Sequence, residues 1–209
     1  MKRSLIVTTI VLALTTAIVS LSPATTFAAD ITLPPPQKTG GKPLFDAINE
    51  RQSTRSFDDS ALDNQTLSDL LWAGFGYNRE NKRTAPSPKD LQETDIYVIL
   101  KEAVYLYDAK NNKLLEKNTG DFRQDATISQ EYVKNAPVNF IFVVDKSKET
   151  GSIAYFSVGA ITENIYLAAA SKGIGAVVRT SINKDALKKS LKLNANQDPV
   201  AGQTVGKKK

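Results

Sequence analysis

The sequence predicts an α+β domain, and three observations carry that expectation. Segments of helical spacing and segments of strand character do not alternate regularly, which argues against a parallel doubly wound sheet. The run Pro137 to Val144, Pro-Val-Asn-Phe-Ile-Phe-Val-Val, is apolar, β-branched and aromatic, as a central strand covered on both faces requires. The longest helical segment, Ser152 to Lys172, places Ile153, Phe156, Ala160, Ile161, Ile165, Ala168 and Ala169 at helical intervals.

Taken in chain order, the first element differs from the rest. Lys2 and Arg3 precede an uncharged apolar run from Leu5 to Leu21, and Thr26-Phe27-Ala28 offers small residues at −3 and −1. Residues 1–28 therefore read as a signal peptide cut after Ala28. A run of this length also approaches the ~20 residues that span a bilayer, but Thr8, Thr9, Thr15 and Thr16 dilute it. The expectation is export to the periplasm without stable membrane insertion after cleavage. Residues 29–41, around Leu33-Pro34-Pro35-Pro36, read as an extended, solvated spacer, and residues 42–209 as one domain.

Pro43 suits the first turn of a helix whose apolar positions, Leu44, Ala47 and Ile48, lead to Arg51. Asp63 is placed to cap a second helix with Leu67, Leu70 and Leu71 on one stripe, stopping at Gly74 and Gly76. Asn78 to Leu91 reads as a long loop. Asp95 to Leu100, Val104 to Tyr107 and the residues after the Asn111-Asn112 turn form an antiparallel meander. In it, one of Tyr105 and Tyr107 is expected to pack and the other to face solvent. Gly173 closes the long helix, Ile174 to Arg179 is a strand, Asn183 caps a helix through Leu191, and Val200 to Val205 is a last strand.

Composition excludes whole classes of chemistry. The chain has no His and no Cys, so Ser-His-Asp and Cys-His catalysis, disulfides and the usual zinc sites are impossible. Without Lys2 and Arg3 the 27 basic residues become 25, against 22 acidic ones. That mild, scattered excess does not describe a nucleic-acid footprint. No aromatic sugar platform accompanies a distinctive carboxylate pair. A chain this poor in catalytic side chains points to a cofactor that carries the reaction.

One segment has the composition of an anion site. Arg51-Gln52-Ser53-Thr54-Arg55-Ser56-Phe57 sets two guanidiniums and several hydroxyls between two helices, where they can converge on a phosphate. By itself it equally describes a solvated basic loop. Trp72 fits an apolar helix stripe better than a stacking role. Arg79 and Arg83 fit either a solvated loop or an anion-attracting one, and Lys188 and Lys189 fit an exposed helix face.

The same segment resembles the R-x-S-x-R-x-F signature of the nitroreductase family, whose members bind flavin mononucleotide (FMN). Leu70-Leu71-Trp72-Ala73-Gly74-Phe75-Gly76-Tyr77-Asn78-Arg79, followed by Arg83-Thr84-Ala85-Pro86-Ser87 and Gln92, resembles the L-L-W-A-x-x-G-x-N-R…R-T-A-P-S-x-x-N-x-Q region of small exported members. Tyr97-Val98, Tyr105-Leu106-Tyr107-Asp108 and Gly120-Asp121-Phe122-Arg123 resemble the strands and G-D-x-R turn of the branch that includes SagB-type azoline dehydrogenases. Gly159 to Gly175 resembles the family's G-x-x-x-Q-N-I-x-L-x-A-x-x-x-G-L-G helix, and Thr204-Val205-Gly206 its closing T-V-G-Y-P-K.

The resemblance, over residues 42 to 206, implies a nitroreductase-like fold: a central, mostly antiparallel sheet flanked by helices, in a homodimer with FMN at the subunit interface. It implies that Arg51, Gln52, Ser53 and Arg55 hold the phosphate side, with Lys207 as a further candidate. Pro86 and Ser87 would come from the partner chain to the ring, Asp90 and Gln92 are further cofactor-binding candidates, and Gly173, Ile174 and Gly175 would pass near the ring edge. The implied activity is hydride transfer from an unidentified electron donor, NAD(P)H or another, to nitroaromatic, quinone or similar small electron-poor substrates. A SagB-like dehydrogenase that oxidises a heterocycle, or a flavin-binding protein with little turnover, are the alternatives. Three departures stand out. Asp90 replaces the Asn of P-S-x-x-N-x-Q and is an acceptor only when ionised, Glu163 replaces a Gln, and Lys207-Lys208 replace Tyr-Pro.

Overall fold

A computed structural model describes residues 29–149 and 151–209. The signal-peptide segment lies outside the described residues. The strands are β1 (Ile31–Thr32), β2 (Tyr77–Arg79), β3 (Lys82–Arg83), β4 (Thr94–Ile99), β5 (Ala103–Asp108), β6 (Lys113–Thr119), β7 (Val138–Asp145), β8 (Ile174–Arg179) and β9 (Gln197–Lys207). The helices are α1 (Leu44–Glu50), α2 (Asn64–Phe75), α3 (Glu131–Asn135), α4 (Ile153–Ser171) and α5 (Lys184–Ser190).

Seven strands form one sheet in the order β1-β6-β5-β4-β7-β9-β8, and every ladder in it is antiparallel. The α+β expectation holds. β7 lies at the centre between β4 and β9, with Val138 to Val144 buried on both faces. Phe140 and Phe142 point to a core completed by α2 and α4, while Ile141 and Val143 point to a second core with α3 and α5. Each such phenylalanine is worth about 3–5 kcal/mol against truncation to alanine.

The expected caps are present. Asp63 accepts from the Thr66 N–H at 2.7 Å and Asn183 from the Ala186 N–H at 3.2 Å. α2 runs through Gly74 to a C-cap at Gly76, because Gly74 lies against Ile165 of α4, where a Cβ would come within 2.8 Å. Gly173, at φ +71°, closes α4 in the left-handed region that favours glycine.

Three expectations change. The segment 29–41 is extended but anchored rather than wholly solvated: β1 pairs with β6, Leu33 is buried, and Gln37 N–H donates to Asp69 at 2.7 Å, while residues 37–41 remain exposed. Ordered structure therefore begins before Lys42, because Leu33 and Asp69 give this stretch apolar and polar anchors. Residues 78–91 are not a plain loop, since β2 and β3 form a hairpin there and Pro88–Asp90 a 3-10 turn. Tyr105 and Tyr107 are both buried in the α2 and α4 core, as residues two apart in a strand share a face.

Candidate functional site

The residues from Arg51 to Phe57 continue the sheet as a strap rather than a free loop. Arg51 is the C-cap of α1. Thr54 N–H donates to Ala176 O at 2.9 Å and Asp58 N–H to Lys207 O at 2.9 Å, with bridges from Ser53 to Ala176 and from Phe57 to Lys208. Such a close approach needs small partners. A Cβ on Gly175 would lie 2.8 Å from Thr54 Cγ2, and one on Gly206 would lie 2.9 Å from Pro137 Cδ. Gly175 is thereby explained by packing against Thr54.

Strapping leaves the polar side chains outward. Gln52, Ser53 and Arg55 are exposed and Arg51 is half-buried. The Arg51 guanidinium lies 5.3 Å from the centre of the Tyr166 ring, within cation–π range. Glu50, the carboxylate next in sequence, is paired with Lys42. Gly173, Ile174 and Gly175 open β8 beside the strap, and Lys207 stands opposite Ile174 in the ladder. The structure thus gathers Arg51, Gln52, Ser53, Arg55, Gly173, Ile174, Gly175 and Lys207 at one end of the sheet.

Pro86, Ser87, Asp90 and Gln92 form a second group. Lys89, Asp90 and Gln92 all have positive φ, at 54°, 57° and 46°, a conformation with a steric cost for non-glycine residues. Side chains hold it. Gln92 N–H donates to Ser87 Oγ at 3.0 Å, and Gln92 Oε1 accepts from Arg83 Nε at 2.9 Å. Gln92 Nε2 donates to Asn81 O at 2.9 Å and Asp90 Oδ1 at 3.2 Å. The Gln92 amide, expected to contact a cofactor, is therefore committed to its own loop. Arg83 sits between Phe75 and Tyr77, with ring centres at 4.6 and 4.1 Å, and burial lowers its pKa. Arg83 is a brace and not an anion attractor.

Asp90 is not a bare charge. Its Oδ2 lies 2.5 Å from Lys82 Nζ, and the hydrogen bonds from Lys82 and Gln92 hold its carboxyl below the ordinary range. Lys82, which the sequence reading passed over, cancels the negative charge introduced where the family has Asn.

The two groups lie at opposite ends of the central strands. Val138 of β7 faces Val205 near Lys207, whereas Val144 faces Thr94, two residues after Gln92. At about 3.4 Å per residue, β7 separates them by roughly 20–25 Å. Tyr166 was also missed. Its signal was a phenol in helical register with the apolar positions Ile161, Ile165 and Ala169, where a buried hydroxyl must find a partner.

An antiparallel sheet covered by helices, with a cationic and hydroxyl-bearing strap on its edge strand, defines an α+β domain with an anion-type surface and without His or Cys for nucleophilic catalysis. The family model for the Nitroreductase family matches residues 48–207, and the chain belongs to the nitroreductase family. A Methanocaldococcus jannaschii protein named as a nitroreductase is 26% identical over 182 residues, covering 79% of this chain and 91% of that one. A Ralstonia eutropha crystal structure, likewise named as a nitroreductase, is 38% identical, covers 87% of this chain and 90% of its own, and has a TM-score of 0.79. A Desulfovibrio desulfuricans structure in complex with FMN is 25% identical over 80% of this chain and 87% of its own, with a TM-score of 0.59. Membership makes the chain an oxidoreductase by family.

Proposed function

We propose that the protein is an exported FMN-dependent oxidoreductase that works as a homodimer and reduces small electron-poor compounds such as nitroaromatics or quinones. The observation that carries this reading is the strap: Arg51, Ser53 and Arg55 present two guanidiniums and a hydroxyl near Lys207, and Glu50, the acid next to Arg51 in sequence, is paired with Lys42. That donor set fits a phosphate dianion. The residues present therefore fit FMN, which when bound supplies hydride acceptance and donation.

The chain's own side chains bind and orient. Arg51, Ser53, Arg55 and Lys207 hold the phosphate side, and Gly173 to Gly175 with the outward backbone of β8 border the ring. The loop Pro86–Asp90 cannot reach that end within one chain, which supports its serving the partner's site. Lys82 keeps the loop electrically neutral, so Asp90 does not oppose negative charge on the reduced cofactor. With no His or Cys in the chain, protons come from water.

Removal of the charged anchor is the test. Arg51→Ala should cost roughly 2–3 kcal/mol of FMN binding, the upper part of the range for hydrogen bonds to charged groups, or about 30- to 150-fold in Kd. Riboflavin, which lacks the phosphate, should lose much less. Titration of both ligands by quenching of flavin fluorescence measures the difference. Equal losses, or none, would return the strap to a solvated basic loop. Anaerobic mixing of the yellow protein with NAD(P)H then reports whether that donor bleaches it.

A further inference from the structure

The geometry points to Tyr166 as the positioning residue of the phosphate anchor, acting on Arg51 and Ser53 together; this rests on the FMN reading above. Tyr166 stands on the buried stripe of α4 and is 5% exposed. Its hydroxyl meets two groups. The Val178 N–H, which points outward from edge strand β8, donates to Tyr166 Oη at 2.8 Å, and Ser53 Oγ lies 3.1 Å from the same oxygen.

The hydroxyl's own proton has one place to go. A buried O–H needs an acceptor, and among the described residues Ser53 Oγ is the acceptor within reach. Either hydroxyl can donate at this distance, and burial of the phenol assigns the donor role to Tyr166. A serine hydroxyl has one proton and two lone pairs, so Ser53 satisfies an acceptor position inward and keeps its proton for an anion outside. The phenol thus orients Ser53 as a donor. Its ring does the second task, with the Arg51 guanidinium 5.3 Å from the ring centre. Through Val178, the same oxygen ties the anchor to the strand that borders the ring site.

Tyr166 touches no ligand on this reading, so its signature is a selective loss of affinity and not a loss of chemistry. Tyr166→Phe keeps the buried ring beneath Arg51 and deletes only the hydroxyl. The expected result is a roughly three- to tenfold weaker FMN Kd, the range of one neutral hydrogen bond, with riboflavin unchanged. Retained riboflavin binding shows that the fold is intact. Because the hydroxyl acts through Ser53, the double variant Ser53→Ala/Tyr166→Phe should bind FMN no worse than Ser53→Ala alone. Tyr166→Leu, which also removes the ring, should lose more than Tyr166→Phe.

The outcomes separate the two claims. If Arg51→Ala and Ser53→Ala lose FMN selectively but Tyr166→Phe does not, or the Ser53 and Tyr166 losses add, the positioning role is overturned and the phosphate anchor stands. Equal FMN and riboflavin losses in Tyr166→Phe overturn it too, as the mark of general damage to α4. If none of the three single variants discriminates between FMN and riboflavin, both claims fall together.

Discussion

Arg123 shows what a motif residue does once folded. Its Nε donates to Asp121 Oδ1 at 2.8 Å and its Nη2 to Oδ2 at 2.6 Å, while Nη1 donates to Ala136 O at 3.3 Å. The G-D-x-R turn is thus a bidentate clamp that fastens the end of β6 to the start of β7. Hydrogen bonding from Arg123 holds the Asp121 carboxyl below its ordinary pKa. A carboxylate depressed in the folded state contributes stability above its unfolded pKa and loses it as pH falls through the folded value. Asp121 is partly exposed, so solvent screening limits the pair to about 0.5–1 kcal/mol. Asp121→Asn should therefore be less stable than the parent chain at pH 7. The gap should begin to narrow below about pH 4, the unfolded value, and shrink further as pH falls toward the lower folded one; urea unfolding at pH 7 and pH 3 measures the change.

A different buried charge, Arg179, has no carboxylate partner among the described residues. It donates from Nη2 to Asn139 Oδ1 and Thr204 Oγ1, both at 3.1 Å, and from Nη1 to Ala126 O, which joins β7, β8 and β9 to the turn before α3. Burial pushes its pKa down to about 10, still well above neutral, so the guanidinium remains charged and structural.

Among elements, the strap and the edge strand depend on each other. Thr54 can reach Ala176 only because position 175 lacks a Cβ, and the contacted Thr54 atoms include its own Cβ at 2.9 Å, which cannot swing away. Gly175→Ala should cost about 1–3 kcal/mol, the usual penalty for overpacking. At about 2–4 °C per kcal/mol for a domain of this size, calorimetry should show Tm lower by several degrees. FMN should bind more weakly as well, since Arg51 and Ser53 ride on the displaced segment. Gly159, whose added Cβ meets nothing within 4 Å, is the control in the same sequence region, and alanine there should not lower Tm in the monomer. The N-terminal segment is a second coupled element: Asp69, 4% exposed, accepts from Gln37 N–H and Gln65 Nε2 and lies 2.5 Å from Lys172 Nζ. That ion pair ties the segment to the end of α4 beside Gly173.

At the scale of the molecule, the apolar surface is unevenly placed. Phe45 is 81% and Phe156 74% exposed, and Leu44, Ile48, Ile153 and Tyr155 are also open. These residues belong to α1 and to the first turns of α4. Large exposed apolar groups gathered on few elements mark an interaction surface, and the proposed role of the Pro86–Asp90 loop in a partner's site requires a second copy to occupy it. Phe156→Glu should therefore convert a dimer to a folded monomer, read by sizing with light scattering and circular dichroism. FMN affinity should fall in the same variant, although residue 156 lies outside the strap, because the partner's Pro86–Asp90 loop is lost. A monomeric variant with undiminished FMN affinity would show that one chain completes the site alone.

Local and periodic features were legible in the residues themselves. The both-face burial of β7, the Asp63 and Asn183 caps, the Gly173 closure and the anion-type composition of Arg51 to Phe57 all follow from side chains a few positions apart, so sequence order suffices to reveal them. Contacts across long sequence separation were not. Tyr166 reaches Ser53 over 113 positions, and Asp69 captures Gln37 over 32, anchoring part of an expected solvated spacer. Each of these pairings depends on which chain segments the sheet order brings side by side, and that order is settled by burial of the two cores rather than by any one segment's pattern. The sequence alone determined what each element could be, while the tertiary structure decided which charges and hydroxyls remain free to bind.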